Sequence, residues 1–213
     1  MSEGKRTPLT LPALCLLFAI SATVTGCRKS SSPQKTPEIS TEVDVAFAYL
    51  SDHYNSSNTP LVIHDTFSLG TLNLYSETQG KIDQYIKNHA SEEIPADLIQ
   101  DFCAKNADRK KVWPELPKHS NVVCLSSNEF QSLYVQKDGE KSDFWDKFYK
   151  RYPKAPGVIW LSRVGLNRRG DMAMIYVESQ SSWHVGGERF YIFRKQGNKW
   201  VETKISIGPS RPS

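Results

Sequence analysis

The chain predicts an α+β fold, and three features carry that expectation. Its C-terminal third reads as alternating apolar segments separated by turn residues, at Asn167-Arg168-Arg169-Gly170, Gly186-Gly187 and Gln196-Gly197-Asn198. Its N-terminal part instead carries apolar residues at helical spacing. Between the two lies an aromatic stripe, Trp145, Phe148, Tyr149 and Tyr152, at i, i+3, i+4 and i+7. Together they predict N-terminal helices and one aromatic-faced helix packed on an antiparallel sheet that ends in a β-meander.

Taken in order, Thr41 and Asp44 form a capping-box-like start for a helix through Val43, Phe47 and Leu50 that ends near Tyr54. Asn55 to Pro60 reads as loop and Leu61 to Phe67 as a short strand centred on Val62 and Ile63. A helix follows over Thr78 to His89. Pro95 suits the first position of another, which sets Leu98, Ile99, Phe102 and Cys103 on one inward face. The charged, proline-bearing stretch Asp108 to Pro117 is loop, Val122 to Leu125 a strand, and Ser126 with Glu129 caps a short helix through Phe130, Leu133 and Tyr134. Ser142 caps the aromatic helix, which Pro153 closes. Four strands complete the chain at Gly157 to Val164, Asp171 to Glu178, Glu188 to Lys195 and Lys199 to Ile207. Both faces of the second are apolar, which makes it central.

The first forty residues have a different character. Lys5 and Arg6 precede an apolar run from Leu9 to Val24, too short to span a bilayer core that needs roughly 20 apolar residues as a helix. Val24-Thr25-Gly26-Cys27 follows directly, then Arg28 and Lys29. This stretch resembles the lipobox signal of bacterial lipoproteins, with Val24 and Thr25 as tolerated variants. The resemblance implies cleavage before Cys27, a diacylglyceryl thioether on Cys27 and acylation of the new amine. It also implies a lipid-anchored, extracytoplasmic place in the cell envelope; the absence of aspartate after Cys27 favours the outer membrane in a Gram-negative host. An ordinary secretory signal is the alternative. Residues 1–26 are then signal peptide, 27–40 a Ser/Pro-rich flexible tether, 41–208 one globular domain and 209–213 a disordered tail.

The 27 basic and 23 acidic residues give a formal charge of +4. Removing Glu3, Lys5 and Arg6 leaves 25 against 22, an excess of +3 that is too weak to argue for nucleic acid. Of the four cysteines, Cys15 leaves with the signal and Cys27 takes lipid, so Cys103 and Cys124 remain. An even pair in an exported chain predicts a disulfide, worth about 3 kcal/mol on the chain-entropy model; two buried thiols are the alternative. None of the five histidines lies at i, i+4 with another, and Cys103 and Cys124 are too far apart for a metal knuckle, so the pattern calls for no metal and no cofactor.

A second likeness lies downstream. Phe144-Trp145-Asp146-Lys147-Phe148-Tyr149-Lys150-Arg151-Tyr152-Pro153, Leu161-Ser162-Arg163-Val164-Gly165-Leu166-Asn167 and the upstream Asp101-Phe102-Cys103-Ala104-Lys105-Asn106 resemble a family of exported bacterial proteins of uncharacterised function. That likeness implies no activity. The polar candidates are His64 with Asp65, Arg163 and His184. A carboxylate beside an imidazole suits a general base, but adjacent strand residues face opposite ways, so strand-end hydrogen bonding is favoured for His64 and Asp65. Ser162-Arg163 offers a nucleophile with an anion clamp only on paper, since no Gly-x-Ser-x-Gly surrounds it. Arg163 is expected instead as a partly buried cation paired with an acidic residue such as Asp146 or Asp171. His184, between Trp183 and Gly186-Gly187, is expected on an exposed loop rim. The expected function is a non-enzymatic envelope lipoprotein, held to the membrane through Cys27 and binding an envelope protein, peptidoglycan or a small ligand. The alternatives are a hydrolase or metal-dependent enzyme using His64, Asp65 or His184, and a structural surface protein with no pocket.

Overall fold

A computed structural model of the chain describes residues 37–54, 59–66, 79–107, 121–134 and 144–208. The lipobox and Cys27, most of the tether, the cap at Ser142, the loop at Asp108 to Pro117 and the tail from 209 lie outside these residues. Within them, helix α1 (Pro37–His53) precedes strand β1 (Leu61–His64), helices α2 (Gln79–His89) and α3 (Ala96–Lys105), and strand β2 (Val122–Leu125). Helices α4 (Ser127–Tyr134) and α5 (Phe144–Arg151) lead into β3 (Val158–Leu161), β4 (Gly165–Leu166), β5 (Met172–Gln180), β6 (Gly186–Gln196) and β7 (Lys199–Glu202). The fold is α+β, as expected. Helix α1 begins at Pro37, so residues 37–40, expected in the tether, are helical.

The seven strands form one sheet in the order β2-β1-β3-β5-β6-β7, with β4 on β5. It is mixed, not antiparallel throughout as expected. Strand β1 runs parallel to β2, with Leu61 opposite Val122, and parallel to β3, with Val62 opposite Val158. Helices α2 and α3 carry the chain from β1 across to β2, and α4 and α5 carry it from β2 back to β3 on the other side of β1, the long connections that parallel neighbours need. All four residues of β1 are buried, which suits an interior strand of such a sheet.

Alternation along β1 and β3 divides the apolar residues between two clusters. Leu61, Ile63, Ile159 and Leu161 join α1, α2, α3 and the meander; Val62 and Val158 join α4 and α5. The inward face of α3 is the one expected, with Leu98, Ile99, Phe102 and Cys103 buried. In α5, Phe144, Trp145 and Phe148 are buried, while Tyr149 and Tyr152 pack half-buried beside them. Ser126 and Glu129 form the expected capping box at α4: the Glu129 amide donates to Ser126 Oγ at 3.2 Å, and the Ser126 amide to Glu129 Oε2 at 3.1 Å.

The first meander strand is broken where a continuous one was expected. Leu161 opposes Val177 and Gly165 opposes Met174, so four steps on one side match three on the other. The extra residue is a bulge at Ser162-Arg163-Val164. Asn106, at the end of α3, clasps it, its Oδ1 accepting from the Arg163 amide at 2.9 Å and its Nδ2 donating to the Arg163 carbonyl at 3.0 Å. The last strand stops at Glu202, not Ile207; beyond it Ile205 and Ile207 are buried, and Ile207 bridges Ala90.

Candidate functional site

His64 ends β1 in an aromatic slot, its ring stacked on Trp160 with centroids 5.8 Å apart and edge-on to Phe130 at 4.9 Å. Its Nδ1 lies 2.9 Å from the Thr66 carbonyl oxygen and 3.1 Å from the Thr66 hydroxyl. Burial lowers its pKa, opposed by the Thr66 contact and the Asp65 charge. His64 is therefore neutral at pH 7. Asp65 stands 3.8 Å from His64 Nδ1, and its Oδ1 instead accepts from the Ser127 amide at 2.9 Å and the Ser127 hydroxyl at 2.7 Å. Asp65 thus caps α4, where a carboxylate also meets the positive end of the helix dipole. The pair holds the end of β1 to the start of α4.

Arg163 is a partly buried cation paired with an acid, as expected, though the acid is neither Asp146 nor Asp171. Its partner is Glu42 of α1, 1% exposed, to which Nε donates at 2.7 Å and Nη2 at 2.6 Å. The bulge aims the side chain toward α1. Asp146 lies exposed on α5, and Asp171 accepts from Asn167 Nδ2 at 2.6 Å. Lys105 Nζ, 3.5 Å from Glu42 and 2.9 Å from Asp101, completes a buried network that ties α1 and α3 to the bulge.

His184 is exposed in the β5–β6 loop. It lies at the other end of the sheet from His64. Gln180 opposes Val158 at the start of β3, whereas His64 closes β1, which runs parallel to β3. The four polar candidates therefore do not converge on one pocket. Cys103 and Cys124 are not bridged. Cys103 is buried on α3, where desolvation pushes its thiol up to about 11 and the nearest charges are Asp83 and Lys87 of α2; Cys124 is exposed on the edge strand β2.

The residues that do converge are others. A cavity of about 470 Å³ opens between the end of α1 and the β5–β6 hairpin, walled by Tyr49 and Tyr54 and floored by Ile159, Val177 and Tyr191. On one face of the sheet, Ile159 opposes Ser179 and Ser179 opposes Gly187; one row along, Leu161 opposes Val177 and Val177 opposes Arg189. A β-carbon added at Gly187 would meet nothing within 4 Å, so the missing side chain leaves the floor open. Tyr49 packs on Tyr191 with ring centroids 4.7 Å apart and meets the Tyr54 ring edge-on at 6.2 Å. Burial raises the Tyr49 pKa, with Tyr54 and Tyr191 adding to it, so this hydroxyl stays protonated.

Behind this floor, two carboxylates face each other. Glu178 of β5 stands directly opposite Glu188 of β6, and the Tyr176 hydroxyl donates to Glu188. Burial, and then the Glu188 charge, push Glu178 up to about 7. Sequence reasoning passed over the cavity residues and this pair. Arg189 and Tyr191 do share a face by strand alternation, and Glu178 and Glu188 sit symmetrically about the hairpin, but Tyr49 and Tyr54 carry no local mark that sends them there.

Comparison of the chain with models of known protein families, with curated proteins and with solved structures finds no match. Among the described residues, no helix is long and apolar enough to cross a membrane, and no group of three or more His, Cys, Asp or Glu could hold a metal ion.

Proposed function

We propose that this chain is a lipid-tethered binding module of a bacterial cell envelope, anchored through Cys27 on the extracytoplasmic side, whose ligand enters the cavity between α1 and the β5–β6 hairpin. The cavity carries the reading: about 470 Å³ lined by tyrosine rings and hydroxyls, with backbone left bare at Gly187. Volume, apolar walls and a few convergent polar groups are the ordinary makings of a small-molecule site. Binding is favoured over hydrolysis by where the polar residues point. His64 and Asp65 are spent on Thr66 and Ser127, and His184 lies at the far end of the sheet. The lipid anchor rests on the Val24-Thr25-Gly26-Cys27 signal and the basic pair after it, which also suits an anionic headgroup surface.

The test is native and denaturing mass spectrometry of the protein extracted from its own host's membranes, as wild type, Cys27→Ala and Gly187→Phe. The denatured wild type should weigh as residues 27 to 213 plus acyl chains, and Cys27→Ala should leave the membrane fraction while still folded. The native wild type should retain a small molecule that Gly187→Phe, with its cavity filled, does not. A bare polypeptide mass would end the lipoprotein reading. Equal retention by Gly187→Phe would end the assignment of the cavity.

A further inference from the structure

Arg189 gives the cavity its charge. It lines the opening from an exposed position, and among the described residues it makes no ion pair; its guanidinium carbon lies 6.0 Å from the centroid of the Tyr191 ring. Glu188 lines the same opening, yet strand alternation sends its side chain to the opposite face, where it meets Glu178 and accepts from Tyr176. Inside the cavity the fixed charge is therefore one guanidinium with its forked donors, next to the Tyr49, Tyr54 and Tyr191 hydroxyls and the Ser179 position. An arginine without a carboxylate partner, set beside aromatic walls, fits a planar oxyanion carried on a flat or apolar body.

Resting on the binding reading above, we propose that the cavity selects a small organic monocarboxylate. Its carboxylate takes Arg189 and its apolar part lies against the Tyr49 and Tyr191 rings, over the bare backbone at Gly187. The sheet sets the preference for one negative charge. The Glu178 and Glu188 carboxyls stand directly behind the floor, where burial and the Glu188 charge together favour the protonated form of Glu178. A phosphate dianion there would add a second negative charge against a single compensating cation.

Proton–nitrogen NMR on the full mature protein, titrated with benzoate, phenyl phosphate and benzyl alcohol, tests this, using wild type and Arg189→Gln. Benzoate should shift the Gly187 and Tyr191 amides, bind more tightly than phenyl phosphate, and bind about tenfold more weakly to Arg189→Gln, the loss expected for one charge-assisted contact. Benzyl alcohol should bind both proteins alike. Arg189→Lys should recover only part of the benzoate affinity, because an ammonium lacks the fork. Benzoate binding that is unchanged in Arg189→Gln, or weaker than that of phenyl phosphate, would overturn the monocarboxylate while leaving the cavity a binding site. Shifts from none of the three would overturn the cavity with it.

Discussion

Replacing Glu178 by glutamine should make this protein more stable at alkaline pH and leave it nearly unchanged at acid pH. Folding holds the Glu178 proton until about pH 7, whereas an unstrained glutamate releases it near 4.5. Between those values the folded chain carries one proton more than the unfolded chain, so this carboxyl's contribution to stability is fully present below pH 4.5 and is lost as pH rises toward 7. Each pH unit in the window is worth about 1.4 kcal/mol, which sets an upper figure of about 3 kcal/mol; the part of the side chain still reached by solvent brings it to about 2 kcal/mol. Glutamine keeps the shape and cannot ionise opposite Glu188. Urea unfolding of wild type and Glu178→Gln at pH 4 and pH 8 reads the effect as a difference of differences, in which every other titrating group cancels. Equal ΔΔG at the two pH values would refute the reasoning, because it would mean that the carboxyl ionises in the folded protein as it does in water.

The buried network at the bulge and the two thiols lend themselves to equally direct tests. Arg163→Ala strands the Glu42 carboxylate, 1% exposed, with Lys105 at 3.5 Å as its remaining cation, and should cost about 3 kcal/mol in denaturant unfolding; a loss below about 1 kcal/mol would show that the pair is hydrated rather than buried. Iodoacetamide under native conditions should label exposed Cys124 quickly and leave Cys103, its thiol held up near 11, protected until the protein unfolds. Protection of both, reversed by reduction, would restore the disulfide expected from counting cysteines.

What could be read from the residues alone were the features decided within one helical turn or one strand. The buried face of α3, the Ser126–Glu129 box and the aromatic side of α5 follow from side chains three or four positions apart, which a helix sets next to one another wherever it is placed. The alternation of β5 and β6 likewise follows from the pleat. Tertiary structure decided everything that depends on which segments meet. Val62 and Ile63 mark a buried strand, but nothing in them says that its neighbours run parallel; the helical crossovers settle that. Arg163 needs an acid, and the one it takes is 121 residues away on α1, because a single inserted residue turns the strand and aims the side chain there. The cavity is the furthest from local reading. Tyr49 comes from the first helix and Tyr191, Gly187 and Arg189 from the second-last strand, and each is unremarkable until the sheet places them around the same space. Local periodicity states which side of an element is apolar, and only the packing of distant elements states what that side, or a gap in it, will face.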